Sequence, residues 1–450
     1  MWSAPFVGSA PVHASLTVPG SKSLTNRWLV LAALADGPCR LRAPLHSRDS
    51  QLMIQALRQL GATITEVDGD SPFGPDLVIT PIPRPFAAAD HLREVDCGLA
   101  GTVMRFVPPL AALIPGATRF DGDPHARKRP MGPVVEALRA LGITVEEDSP
   151  GGAPALPFTV HGPEADSGVP GGQLVVDATQ SSQFVTAMLL VSSQFRDGLT
   201  LVHESPAGGT VPSMPHVEMT VETLRHVGVT VDDSVPARWV VAPGPIRGFD
   251  VRVEQDLSNA GPFLAAAVVT GGEVSIAHWP QHTTQGGAHW REILPQFGAT
   301  VELTEGTFTV RGPREINGVD LDLSLAGELA PTVAGICALA TSPSRLRGIA
   351  HLRGHETDRL AALTAEINRL GGNAAETDDG LIINPAPLHA GTFFSYDDHR
   401  MATAGAVIGL VVEGVQVENV ETTAKTLPQF PAMWQELVSD SSTDPSGGAA

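Results

Sequence analysis

Two hydrophobic patterns alternate along the chain. The first is an apolar run rich in Ala and Leu, with almost no polar position on any face. It opens on a polar or glycine-containing start, closes on a small-residue turn and leads into a β-type stretch. It recurs at 23–41, 101–120, 182–201, 261–276, 330–349 and 399–417. A helix that is apolar all round has no face to give to water, so these six are expected to be buried. The second pattern is an amphipathic helix that closes on Gly before a strand, at 53–67, 134–145, 221–231, 291–301 and 363–374. Its apolar spacing predicts a helix with one polar face outward. Gly61, Gly142, Gly228, Gly298 and Gly371 stand where a left-handed C-cap belongs. The interval between copies is roughly 70–85 residues, longer than a solenoid repeat.

Each copy holds two helices and several strands, enough for a small αβ layer. Six units in two sets of three account for the length. The sixth lacks the Gly-closed helix and ends in 430–438. The Ser-, Asp- and Gly-containing tail 439–450 is expected to be disordered. The Pro-rich piece 72–85 reads as a loop with short extended parts.

Composition narrows the class. A chain of 450 residues is too long for one ordinary core. A net charge of −20 argues against nucleic acid and anionic membrane surfaces as partners. An anionic small molecule would need a local basic pocket inside that acidic shell. Cys39, Cys97 and Cys337 are scattered and odd in number, which fits a reducing compartment. The opening MWSAPFVGSA lacks the features of a signal peptide, and the longest apolar runs, 260–270 and 401–412, are too short to span a bilayer. A soluble, cytoplasmic protein is expected.

Candidate chemistry sits at the starts of the buried helices. The stretch 18–27, VPGSKSLTNR, breaks a strand at Pro19 and Gly20 and supplies Ser21 and Ser23 as capping types. A helix start aims free N–H groups and partial positive charge at what lies before it, and Lys22, Ser23 and Arg27 gather there. Lysine is rare: Lys22, Lys128 and Lys425 are the only three, against 29 basic residues in all. Unlike Arg, Lys can give up a proton. The other starts read Gly101-Thr102, Ser181-Ser182-Gln183 and Asp398-His399-Arg400. Buried starts cannot leave their N–H groups unpaired, because each orphan costs about 1–3 kcal/mol. Several of them converging on one cleft would form an anion pocket.

Eight motifs in order carry a resemblance: PGSKSLTNR (19–27), LAGTVMR (99–105), KRPMGP (128–133), SSQF (181–184), SMPH (213–216), HETDRL (355–360), DHRM (398–401) and AKTLP (424–428). With these the chain resembles the 5-enolpyruvylshikimate-3-phosphate synthases, also called 3-phosphoshikimate 1-carboxyvinyltransferases. The resemblance implies an α/β fold of the inside-out barrel type, in two domains of three βαβαββ-type units each. The domains would comprise 20–253 and 1–19 with 254–438, the second crossing lying near Glu254. It implies transfer of the enolpyruvyl group of phosphoenolpyruvate to the 5-hydroxyl of shikimate 3-phosphate, by addition and elimination, releasing phosphate. It implies no cofactor, no metal and a monomer whose site draws on both halves.

Residue by residue, the resemblance assigns Lys22, Ser23, Arg27, Ser181, Ser182, Gln183, Ser213, Glu328 and His355 to shikimate 3-phosphate. It assigns Lys22, Gly101, Arg129, Gln183, Arg359, Arg400 and Lys425 to phosphoenolpyruvate. Bidentate Arg contacts suit carboxylate and phosphate. Glu328 and Glu356 match the acid/base positions, Glu328 for the substrate hydroxyl and Glu356 for the carbon proton, and Lys22 would protonate the departing phosphate oxygen. The chain departs from the common pattern at four places. Glu328 stands for a more usual Asp, His351 and His355 for Asn and Lys, and Phe106 for Pro. Arg359 and Arg400 could instead form surface ion pairs with Asp358 or Asp398.

Two other readings compete. A UDP-N-acetylglucosamine enolpyruvyl transferase would share the fold, but such enzymes usually carry a reactive Cys in the loop matching 121–130. Here that loop reads DGDPHARKRP. A zinc hydrolase is suggested by His351, His355 and Glu356, but the helical HExxH spacing is absent.

Overall fold

The computed structural model describes residues 1–440 apart from 90, 149–150, 165–166 and 207. The chain divides into two compact units, Gly20–Glu254 and Met1–Pro19 with Gln255–Ala450.

In the first unit the apolar runs form the helices Lys22–Leu34, Gly101–Ala111 and Gln183–Ser192, which pack against one another. Every residue from Leu24 to Leu34 is buried, which follows from a helix with no polar face. Helices Gly261–Thr270, Ala330–Cys337 and His399–Gly409 make the corresponding core of the second unit. The amphipathic helices lie outside these cores. In Arg48–Gln59, for example, Met53, Ile54 and Leu57 are buried while Gln55, Arg58 and Gln59 are exposed. All five closing glycines are left-handed, with φ of 106° at Gly61, 82° at Gly142, 88° at Gly228, 96° at Gly298 and 91° at Gly371. A side chain with a Cβ would be strained at each.

Among the described residues, five four-stranded sheets share one plan: the first strand parallel to the second, the fourth antiparallel to both second and third. Arg93–Asp96 thus runs parallel to Gly116–Asp121, and Phe158–Gly162 lies between the latter and Thr144–Glu147. Two sheets borrow their leading strand from afar. Cys39–Arg42 pairs with Asp250–Arg252, and Glu273–Ile276 pairs with His13–Leu16. A sixth, three-stranded sheet joins Trp2–Ser3, Val415–Val417 and Gly391–Phe393.

One local expectation is sharpened and another corrected. The Pro-rich piece contains Asp76–Thr80, an interior strand between Cys39–Arg42 and Thr63–Val67. Leu77 and Ile79 turn one face to the core, and the Asp76 carboxylate accepts from Arg40 and from Ala43 N. The last helix, Phe430–Asp440, runs two residues into the supposed tail, because Phe430, Trp434 and Leu437 seal the core beside Phe263. The rest of that tail, 441–450, lies outside the described residues.

Candidate active site

In the unit Gly20–Glu254, side chains tie together the first turns of the three buried helices. Asn26 Nδ2 donates to Thr102 Oγ1 at 2.7 Å, Arg27 Nη2 to Thr186 Oγ1 at 3.5 Å, and Arg105 Nη1 to Gln183 Oε1 at 3.0 Å. The three starts therefore stand side by side. Ser21 caps its helix through Leu24 N, but neither Ala100 nor Ser182 caps its helix with a side chain. The start of Gly101–Ala111, with no side-chain cap, suits an anion.

Around these starts lie the residues the sequence nominated in this unit. Lys22 is half-buried, 3.5 Å from Asp49 Oδ2, and Ser23 follows it at the same end. Arg27 is buried. Its guanidinium also bonds Ser23 O at 2.9 Å, Thr220 Oγ1 at 2.9 Å and His216 O at 2.8 Å, and it lies over the Phe106 ring. It braces the helix starts from beneath, and Phe106 gives it an aromatic face. Ser181 Oγ accepts from Gln183 N, and Ser182 is buried. Ser213 is held at φ 51°, an unfavourable conformation for a serine that clusters at functional sites. A Cβ added at Gly101 would lie 2.9 Å from Arg105 Nη1 and 3.0 Å from Arg129 Nη2.

In the second unit an ion-pair network surrounds the start of His399–Gly409. Asp398 accepts from Arg359 Nε at 2.7 Å and Nη2 at 3.1 Å, and caps the helix through Arg400 N. Arg359 is buried and bound by Asp398, rather than paired with Asp358 at the surface. Asp358 caps helix Arg359–Arg369 and meets Arg353. Burial alone would lower the Arg359 pKa, but Asp398, Glu356 and Glu328 outweigh it and raise it. Glu356 Oε2 lies 3.2 Å from both Lys425 Nζ and His399 Nδ1. Lys425 also donates to Asp397 O at 2.5 Å. Burial holds His399 below the usual histidine range, against the pull of Glu356. It likewise lowers Arg400, opposed by Glu328. Glu328 Oε1 accepts from Ser258 Oγ at 2.9 Å, and a Cβ at Gly286 would come within 3.1 Å of that oxygen. His355 Nδ1 is 3.4 Å from Arg359 Nη1, and the rings of His351 and His355 are 5.6 Å apart.

Glu356, Asp398 and His399 bring one ligand atom each within 4.8 Å of one another. Lys425 and Arg359 already bind the two carboxylates, so the cluster is an ion-pair network in this structure. Sequence reading placed Asp398 and His399 at a helix start without giving them their roles, and it missed Arg105 and Ser258. Arg105 lies inside a quoted motif, but nothing in the sequence foretold its partners. Ser258 precedes a buried helix as part of a loop whose only visible signal was its turn-forming composition.

A model of the EPSP synthase (3-phosphoshikimate 1-carboxyvinyltransferase) family matches residues 7–434. The 3-phosphoshikimate 1-carboxyvinyltransferase of Kocuria rhizophila is 63% identical over 438 residues, covering 97% of this chain and 96% of that one. Among solved structures, an EPSP synthase from Acinetobacter baumannii superposes with a TM-score of 0.76 at 24% identity, covering 97% of each chain. The enolpyruvyl transferase NikO from Streptomyces tendae superposes at 0.72 with 18% identity, covering 96% of each. The structural likenesses carry the two-unit enolpyruvyl transferase fold, with buried helices inside and sheets outside. With the family model spanning nearly the whole sequence, the chain belongs to the EPSP synthase family.

Proposed function

We propose that this chain carries out the reaction of its family, using the residues gathered at its helix starts. In the addition step the 5-hydroxyl oxygen of shikimate 3-phosphate bonds to C2 of phosphoenolpyruvate, and a proton enters C3 to make a methyl group. In the elimination step C3 loses a proton, the C2–O bond to phosphate breaks, and inorganic phosphate leaves. Glu328 takes the hydroxyl proton, its carboxylate held in place by the bond from Ser258. Glu356 delivers and then recovers the C3 proton, with His399 and Lys425 fixing its position. Lys22 protonates the departing phosphate oxygen.

Gly101, Arg129, Gln183, Arg359, Arg400, Lys425 and Lys22 hold phosphoenolpyruvate. Lys22, Ser23, Arg27, Ser181, Ser182, Gln183, Ser213, Glu328 and His355 hold shikimate 3-phosphate. Arg27 acts mainly by bracing, since most of its donors are met by protein oxygens. The observation that carries the proposal is Glu356 suspended between an ammonium and an imidazole. Those two neighbours fix the carboxylate in one orientation, the positioning that a proton-transferring group needs. The protein is proposed to act as a cytoplasmic monomer. The test is release of inorganic phosphate from phosphoenolpyruvate with either acceptor. Shikimate 3-phosphate should support turnover and UDP-N-acetylglucosamine none; the reverse result would overturn the proposal.

A further inference from the structure

Arg105 is a buried charge with no counter-ion among the described residues. The residue is 3% exposed. Its Nη1 reaches the Gly101 carbonyl at 3.4 Å and Gln183 Oε1 at 3.0 Å, its guanidinium lies 5.4 Å from the Phe184 ring centre, and its Nε is buried with no acceptor. Among the described residues none of these partners is an acid. Burial, and after it the neighbouring cation Arg129, pushes the Arg105 pKa well below the usual arginine range. Proteins rarely bury a charge this way unless something else completes it. The neighbourhood also fixes an orientation. A guanidinium has only donors, so Gln183 must turn its oxygen toward Arg105. Its NH2 group, with two donors, then points away from Arg105.

We propose that Arg105 is a positioning residue for phosphoenolpyruvate: it sets the Gln183 amide with its NH2 group toward the ligand, and the bound anion supplies the missing counter-charge. The inference rests on the reading that Gly101, Arg129 and Gln183 receive phosphoenolpyruvate. It makes an unusual demand. A residue that matters to binding should be a burden to the empty protein, because the unliganded state carries its unpaired charge.

The test is Arg105→Met, which keeps volume and removes charge and donors. Its melting temperature without ligand should equal or exceed that of the parent. Its KM for phosphoenolpyruvate should rise by about tenfold or more, as expected for a lost charge-assisted bond, while that for shikimate 3-phosphate stays within about threefold. Arg105→Lys, retaining charge and a donor, should recover most of the loss. An unchanged KM for phosphoenolpyruvate overturns the inference. So does a lowered melting temperature with both KM values rising together, the signature of a merely structural residue. If Arg105→Met does not fold, Arg105→Gln takes its place, and failure of both to fold also overturns the counter-charge argument. Arg129→Ala separates this inference from the reading beneath it. If that variant leaves KM for phosphoenolpyruvate unchanged, the site assignment falls. If it raises KM and Arg105→Met does not, the inference falls alone.

Discussion

A single methyl group at position 101 would land among guanidinium nitrogens. The added Cβ meets Arg105 Nη1 at 2.9 Å and Arg129 Nη1 at 3.1 Å, and Arg105 is buried with little room to move. Gly101→Ala should therefore raise KM for phosphoenolpyruvate about tenfold or more while the protein folds normally, since displaced binding groups are costly. Steady-state kinetics with the second substrate saturating would show it. The cysteines make the opposite case, of groups placed where they cannot react. Burial pushes the Cys39 thiol up to about 11 and Cys337 up to about 12, and Cys97 is raised as well. The thiolate is the nucleophile, so prolonged incubation with fosfomycin should leave the rate unchanged. At this scale the sequence revealed residue types better than their partners. Arg27 was legible as a cation at a helix start, but Thr186, His216 and Thr220 lie 159, 189 and 193 residues away, beyond any local pattern.

Among the elements, helix His399–Gly409 depends on one side chain for two tasks. Asp398 caps its first turn and binds the buried Arg359 through both oxygens. Asp398→Ala would remove the cap and leave a buried guanidinium without its main acid. Breaking a buried pair in this way costs about 3–5 kcal/mol, which should appear as an earlier urea midpoint. Asp398→Asn, which keeps the cap oxygen, should lose less. Helices were the most legible elements, because an apolar-all-round run and a Gly-closed amphipathic run differ in period and ending. The left-handed φ of Gly61 and Gly371 is the direct outcome of that ending. Strand Asp76–Thr80 was harder to read, since the prolines flanking it suggested a loop with short extended parts while its interior place comes from neighbours on both sides.

For the molecule as a whole, pH should act through a histidine that folding keeps neutral. The folded-state pKa of His399 lies below its ordinary value of 6.5, chiefly because the ring is buried. The unfolded chain thus binds a proton that the folded one resists. Stability from this group is complete above about pH 6.5 and is lost progressively as pH falls below it. Melting temperatures from pH 8 down to about 5 should decline more steeply for the parent than for His399→Asn. Equal slopes would remove His399 from the account. No helix among the described residues is long and apolar enough to cross a membrane.

The borrowed strands also set an order of assembly. All four strands of the sheet built on Cys39–Arg42 lie within Gly20–Glu254, so that unit is one unbroken stretch of chain. His13–Leu16, made before any of it, pairs with Glu273–Ile276, and Trp2–Ser3 with Val415–Val417. At ordinary translation speeds the earliest strands must wait on the order of tens of seconds for their mates to leave the ribosome. The outer face of the second, with His13 and Ser15 exposed, is polar and so a poor template for stray pairing during that interval.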